Sequence, residues 1–245
     1  MSMSSKLGIE SVYRLLPADA RRAVKWANRS RRRARWGNLR RAHPFSDHYG
    51  YDRGVPIDRV FIERFMETER SLVRGRVLEV KDTTYSQRFG TGVISTDVVD
   101  IDESNAAATI VADLGQPGSL AGRRFDCIVF TQVLQFIGND RAALANLYDA
   151  LAPGGSLLIT VPAGGRVMPL PEGPDHRRYL VPGLHWLLGD EAPDATVSVR
   201  AWGNLVAKTA DQYGLAAEEL RAHELDATDA RFPVIISGVL TKPST

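Results

Sequence analysis

Between Val77 and Val161 the chain repeats short apolar runs rich in β-branched residues, with helical or connecting text between them. The runs fall at residues 77–80, 93–99, 109–113, 125–130 and 156–161. None alternates strictly between polar and apolar positions, so both faces of each strand must be covered. Strands of that kind, joined by connections of crossover length, predict a parallel sheet packed by helices on both sides. Pro56 opens a helix on which Ile57, Phe61 and Phe65 repeat at four-residue intervals, with Leu72 continuing the face. A second helix carries Leu144, Leu147, Tyr148 and Leu151 at helical spacing and is stopped by Pro153-Gly154-Gly155.

The last third of the chain changes character. Residues 169–174 are rich in proline and predict a loop, and a short helix follows Pro182. Residues 195–199 and 232–240 read as two strands, with helical text at 204–221 between them. The expected fold is α/β: a doubly wound, mostly parallel, seven-stranded sheet whose last two strands make an antiparallel reversal at one edge.

Charge divides the chain unevenly. Residues 1–45 hold 12 Lys/Arg against 2 Asp/Glu, whereas the other 200 hold 19 against 27. We expect a basic helical arm at 1–45 and an α/β domain at 46–245. Two readings of the arm stand open. It is a solvated segment leaning on the acidic body, or a basic surface for an anionic membrane, with Trp26 and Trp36 as its strong anchors. Nucleic acid is disfavoured, because the body is acidic and offers no base-stacking platform. With one cysteine, no internal disulfide can form, and no run reaches the length of a bilayer span, so the cytoplasm is the expected compartment. The single cysteine and scattered histidines offer no zinc spacing, and no metal is expected. No phosphate loop of the Gly-Lys-Ser/Thr type and no Gly-x-Ser-x-Gly turn occurs.

An open parallel sheet binds its ligand beyond the carboxyl ends of its strands, so the residues ending each run are the ones to weigh. The first run ends in Glu79 and continues Lys81-Asp82-Thr83-Thr84-Tyr85. The second brings Asp97 and Val98, the third Asp113 and Leu114, and the fourth leads into Gln132. An acid after the second strand suits two ribose hydroxyls, and one after the third suits an adenine amino group. A lone acid is as readily a helix cap or a solvated loop residue, but several in this order are harder to dismiss.

With those residues in view, the chain resembles the class I S-adenosylmethionine-dependent methyltransferases, of the small bacterial type. The resemblance runs from about Trp36 to Lys242. It includes Gly50-Tyr51-Asp52-Arg53-Gly54-Val55-Pro56, Phe125-Asp126-Cys127-Ile128, Leu151-Ala152-Pro153-Gly154-Gly155 and Glu218-Glu219-Leu220. It implies S-adenosylmethionine as the cofactor and a small molecule, a sugar or natural product, as the acceptor of an O- or N-methylation. It further implies that Glu79 faces the methionine amino group, Asp97 the ribose and Asp113 the adenine. Tyr85 and Gln132 would line the pocket. Arg53 would meet the cofactor carboxylate, its alternative being an ion pair with Asp52 or Asp58.

The departure from the family pattern is Lys81, where the first glycine of the turn normally stands. The lysine turns outward, pairs with the cofactor carboxylate, or pairs with a nearby acid. The same substitution motivates a second reading: a methyltransferase-like protein that no longer transfers methyl groups and serves as a binding partner or runs another reaction in the old pocket. Candidate bases are His176, in Asp175-His176-Arg177-Arg178-Tyr179, and His48.

Overall fold

The structure, a computed structural model, describes residues 16–31, 37–168 and 174–244. It divides into two units, Met1–His43 and Pro44–Thr245. In the first, helix α1 (Ala18–Arg31) carries a mainly basic surface on which Trp26 is exposed. Gly37–Leu39 forms a 3-10 turn. Trp36, and residues 169–173 of the proline-rich segment, lie outside the described residues.

The second unit contains a seven-stranded sheet in the order β3-β2-β1-β4-β5-β7-β6. Its strands are β1 (Gly75–Val80), β2 (Val93–Asp100), β3 (Ile110–Val111), β4 (Phe125–Thr131), β5 (Leu151–Pro162), β6 (Thr196–Trp202) and β7 (Ile235–Thr241). The pairs from β3 to β5 are parallel, and β7 is antiparallel to both β5 and β6. The helices are α2 (Ile57–Thr68), α3 (Thr84–Phe89), α4 (Asp140–Ala150), α5 (Val181–Glu191), α6 (Leu205–Gln212) and α7 (Ala222–Asp226).

Alternate residues of the central strands supply two separate cores, as a two-residue side-chain period requires. Leu78, Ile128, Phe130, Leu157 and Ile159 pack with Leu144 and Leu147 of α4 and Leu184 and Leu188 of α5. Val77, Cys127, Val129 and Leu158 pack on the opposite face with Ile57, Phe61 and Phe65 of α2, Tyr85 and Phe89 of α3, and Ala207 and Ala210 of α6. Both faces are covered, which explains why the runs lack polar alternation.

Several boundaries differ from the sequence expectation. The second strand runs to Asp100, because Val98 and Val99 continue the ladder with Glu79 and Val80. The third is only Ile110–Val111. Leu151 begins β5 instead of closing α4, and Pro153-Gly154-Gly155 lies within that strand, where the pairing register with β4 shifts. Gly154 adopts φ +73° there, a conformation that favours glycine. Helix α2 stops at Thr68, and Leu72 falls in its own 3-10 turn. The helical text at 204–221 breaks after Gln212. Asn204 caps α6 by accepting from the Val206 and Ala207 N–H groups at 2.9 and 3.1 Å.

Candidate active site

The strand order reverses between β1 and β4, and a cavity of about 1000 Å³ opens at the carboxyl ends of the strands there. Three described non-glycine residues have left-handed backbone angles: Tyr49 (φ 56°), Lys81 (φ 74°) and Gln132 (φ 56°). All three line this cavity. Backbone strain concentrated around one cavity is a mark of a functional site.

The turn after β1 has kept the shape that glycine permits, although lysine occupies it. The Lys81 N–H donates to Val99 O at 3.0 Å, and its carbonyl accepts from the Asn105 side-chain amide at 2.8 Å. The same amide donates to Asp100 Oδ2 at 2.7 Å. Thus one side chain ties the first turn to the acid that ends β2. The Lys81 side chain is exposed in the cavity wall. Asp82 also lines the wall, and its Oδ1 accepts from the Thr84 N–H at 2.8 Å, closing the turn into α3.

Glu79 does different work from that expected of it. It is 2% exposed and absent from the wall. Its two oxygens accept from the N–H groups of Tyr85 and Ser86 at 2.7 and 2.8 Å, satisfying the free first turn of α3. Burial raises its pKa, and those two hydrogen bonds oppose the rise.

Asp97 and Val98 are not at the end of their strand and are not in the wall. Asp97 accepts from Thr109 Oγ1 at 2.8 Å, and Val98 is buried. The wall at the end of β2 is Asp100, Ile101 and Asp102. Asp113 and Leu114 do line the cavity after β3, with Asp113 Oδ1 accepting from the Gly115 N–H at 2.8 Å.

Arg53 takes the ion-pair alternative, but with Glu219: its Nε donates to Oε2 at 2.9 Å and its Nη2 pairs with Oε1. It is outside the wall. Arg59, one turn into α2, occupies the wall instead. Its guanidinium donates to the Tyr85 hydroxyl and lies 5.3 Å from that ring's centroid. Tyr85 is also in the wall and stacks on Phe89, with centroids 6.2 Å apart. Burial raises the Tyr85 pKa, against the opposing pull of the Arg59 charge. Arg166 and Arg178, the other arginines of the wall, are paired with Asp47 and Asp175. Among the described residues Arg59 has no carboxylate within ion-pair distance.

Gln132 lines the cavity, and its carbonyl accepts from Gln135 Nε2 at 2.7 Å. Gln135 is 4% exposed, and its Oε1 has no partner. His176 is exposed and not in the wall. Its backbone N–H is bound to Gln135 O at 2.8 Å and its ring lies beside Gly138. His48 is likewise exposed and outside the wall. Among the described residues no group of three or more His, Cys, Asp or Glu side chains is placed to hold a metal ion.

A family model described as a methyltransferase domain matches residues 33–206. The chain belongs to this methyltransferase domain family. No curated protein matches the chain by sequence. Among solved structures, the [4+2]-cyclase SpnF is similar at 17% identity over 83% of this chain and 87% of its own, with a TM-score of 0.51. An S-adenosylmethionine-dependent methyltransferase from Mesorhizobium loti is similar at 15% identity over 76% of this chain and 98% of its own (TM-score 0.49). A 1,6-didemethyltoxoflavin-N1-methyltransferase from Burkholderia thailandensis is 17% identical over 76% and 81% (TM-score 0.47). At such identities the SpnF likeness speaks for the fold: a methyltransferase-type sheet with one antiparallel strand near its edge.

Proposed function

We propose that the protein binds S-adenosylmethionine in this cavity and transfers its methyl group to a small-molecule acceptor, at an oxygen or nitrogen of a sugar or natural product. The observation that carries the reading is the turn after β1. Its backbone holds the left-handed angle at Lys81, and its carbonyl is tied through Asn105 to Asp100. Bound there, the cofactor supplies an electrophilic methyl group on a sulfonium.

The residues present fit that group. Asp100 at the end of β2 offers carboxylate oxygens for ribose hydroxyls, and Asp113 after β3 offers them for an adenine amino group. Arg59, in the wall and outside any ion pair among the described residues, is better placed than Arg53 for a carboxylate fork. Lys81 and Tyr85 complete that part of the wall. Leu114 and Ile137 add apolar surface to it. Calorimetric titration with S-adenosylmethionine and S-adenosylhomocysteine tests the reading, and absence of binding by folded protein overturns it.

A second reading is a methyltransferase-like protein running another reaction in the pocket. The likeness to SpnF, a [4+2]-cyclase, supports it, as does the lysine at the first turn. In that case Lys81→Gly should create cofactor binding that the natural chain lacks. Tight binding by the natural chain, unchanged by the substitution, rejects it. The basic helix α1 supports peripheral contact with an anionic membrane, and removal of residues 1–45 should then abolish salt-sensitive liposome binding. Among the described residues no helix is long and apolar enough to cross a membrane.

A further inference from the structure

The cofactor stations Lys81, Asp100 and Asp113 use the ends of β1, β2 and β3. The other half of the cavity is walled by the segments after β4 and β5 and by α2 and α6. Two carboxylates stand in that half, Asp58 near the start of α2 and Asp211 near the end of α6. Neither is in an ion pair among the described residues. Two buried acceptor-capable atoms of the wall are also unpartnered: Gln135 Oε1, its amide nitrogen already donated to Gln132 O, and the Tyr49 hydroxyl.

Carboxylates outside an ion pair in a half-buried wall are costly, and a cation in direct contact relieves that cost. Asp58 accepts from the Arg59 N–H at 2.7 Å and faces the Arg59 charge, while Asp211 faces Asp58 and Lys208. Burial raises the Asp211 pKa, and Asp58, from α2, adds to that rise. Lys208, from α6 itself, opposes that rise. The Lys208 ammonium is buried without a hydrogen-bond partner beside Gly164, and Arg178 bears on it from the segment after β5. Arg178 and Arg166 are spent on Asp175 and Asp47. What remains is an acceptor-rich pocket whose two carboxylates lie outside any ion pair among the described residues.

We propose that this half of the cavity is the acceptor subsite for an amine, held as its ammonium by Asp58, Asp211 and Gln135 Oε1, and that Asp211 takes the proton which frees the nitrogen lone pair. In this step an N–H bond of the ammonium breaks and an O–H bond forms on the Asp211 carboxylate. The nitrogen keeps the electron pair, and no co-reactant is required. Burial, with Asp58 adding to it, pushes Asp211 up to about 7, which suits a proton acceptor near neutrality. The inference rests on the methyl-transfer reading above and narrows it to nitrogen.

The test uses the full chain saturated with S-adenosylhomocysteine and two matched probe pairs, D-glucosamine against D-glucose and tyramine against tyrosol. In calorimetry at least one amine should bind about tenfold or more tighter than its alcohol. Asp211→Asn and Asp58→Asn should each reduce that preference by about tenfold, with S-adenosylhomocysteine affinity retained. Equal binding of amine and alcohol, no amine binding to the loaded protein, or an undiminished preference in Asp211→Asn overturns the proposal. The wild-type comparison decides the matter even where a variant fails to fold. Failure of S-adenosylhomocysteine itself to bind is a separate result. It overturns the methyl-transfer reading and takes this inference with it.

Discussion

Asn105 holds Lys81 in place: its side-chain amide donates 2.8 Å to the Lys81 carbonyl and 2.7 Å to the Asp100 carboxylate. One amide therefore sets both the shape of the first turn and the direction of the acid beside it. Asn105→Ala removes both bonds at once. We expect a loss of about 1–2 kcal/mol in denaturant unfolding, and a drop of about tenfold in S-adenosylhomocysteine affinity by calorimetry. A variant with unchanged affinity would show that Asp100 needs no such support.

Lys81 bears a left-handed angle that a side chain disfavours by about 1–2 kcal/mol. Lys81→Gly removes that strain and adds backbone entropy to the unfolded chain, so the net gain should be about 0.5–1 kcal/mol. Lys81→Ala keeps the Cβ and should gain nothing from backbone relief. Melting curves of the two variants separate backbone strain from side-chain charge.

The two arginines before the sheet should behave differently. Arg59→Ala removes the wall guanidinium that is outside any ion pair among the described residues and should weaken S-adenosylhomocysteine binding by about tenfold or more. Arg53→Ala breaks only the Glu219 pair, whose side chains are both one-third exposed, and should change stability by about 1 kcal/mol or less. Equal loss of affinity in both would return Arg53 to the site.

Asp211 also sets a pH dependence. Its pKa in the folded protein is raised from the ordinary 3.8 to about 7. The folded state therefore holds a proton that the unfolded chain has lost, and stability falls as pH rises from about 4 to about 7. Asp58 and Glu79, also raised, add the same sign. Denaturant unfolding should give a more stable protein at about pH 5 than at about pH 8, and Asp211→Asn should shrink that difference.

Much of the fold was legible because it depends on pattern. The β-branched runs around Val77, Val99 and Ile128 announced strands covered on both faces, and Pro56 announced the start of α2. The site was legible only where a strand end could be located. Asp113 and Gln132 follow strand ends and line the cavity, whereas the strand carrying Asp97 runs three residues further, to Asp100, a difference in length that leaves no trace in composition. Glu79 was identified as important, but its carboxylate serves the backbone of α3. Arg59, Gln135 and Asp211 line one cavity from distant parts of the chain, Asn105 reaches Lys81 from 24 residues away, and no local spacing marks them. The left-handed angle at Lys81 is also invisible in the sequence, since a residue bearing a Cβ seldom adopts it.

Cys127 lies fully buried in the middle of β4, between Val77 and Ser156, and burial pushes its thiol up to about 12. As the sole cysteine of the chain it is chemically silent while the sheet is closed. Its alkylation rate is therefore a built-in clock for opening of the central strand. Slowing of that clock by S-adenosylhomocysteine would report ligand binding from inside the sheet, with no added label. A cysteine introduced on the surface would be the only site to react in the closed protein.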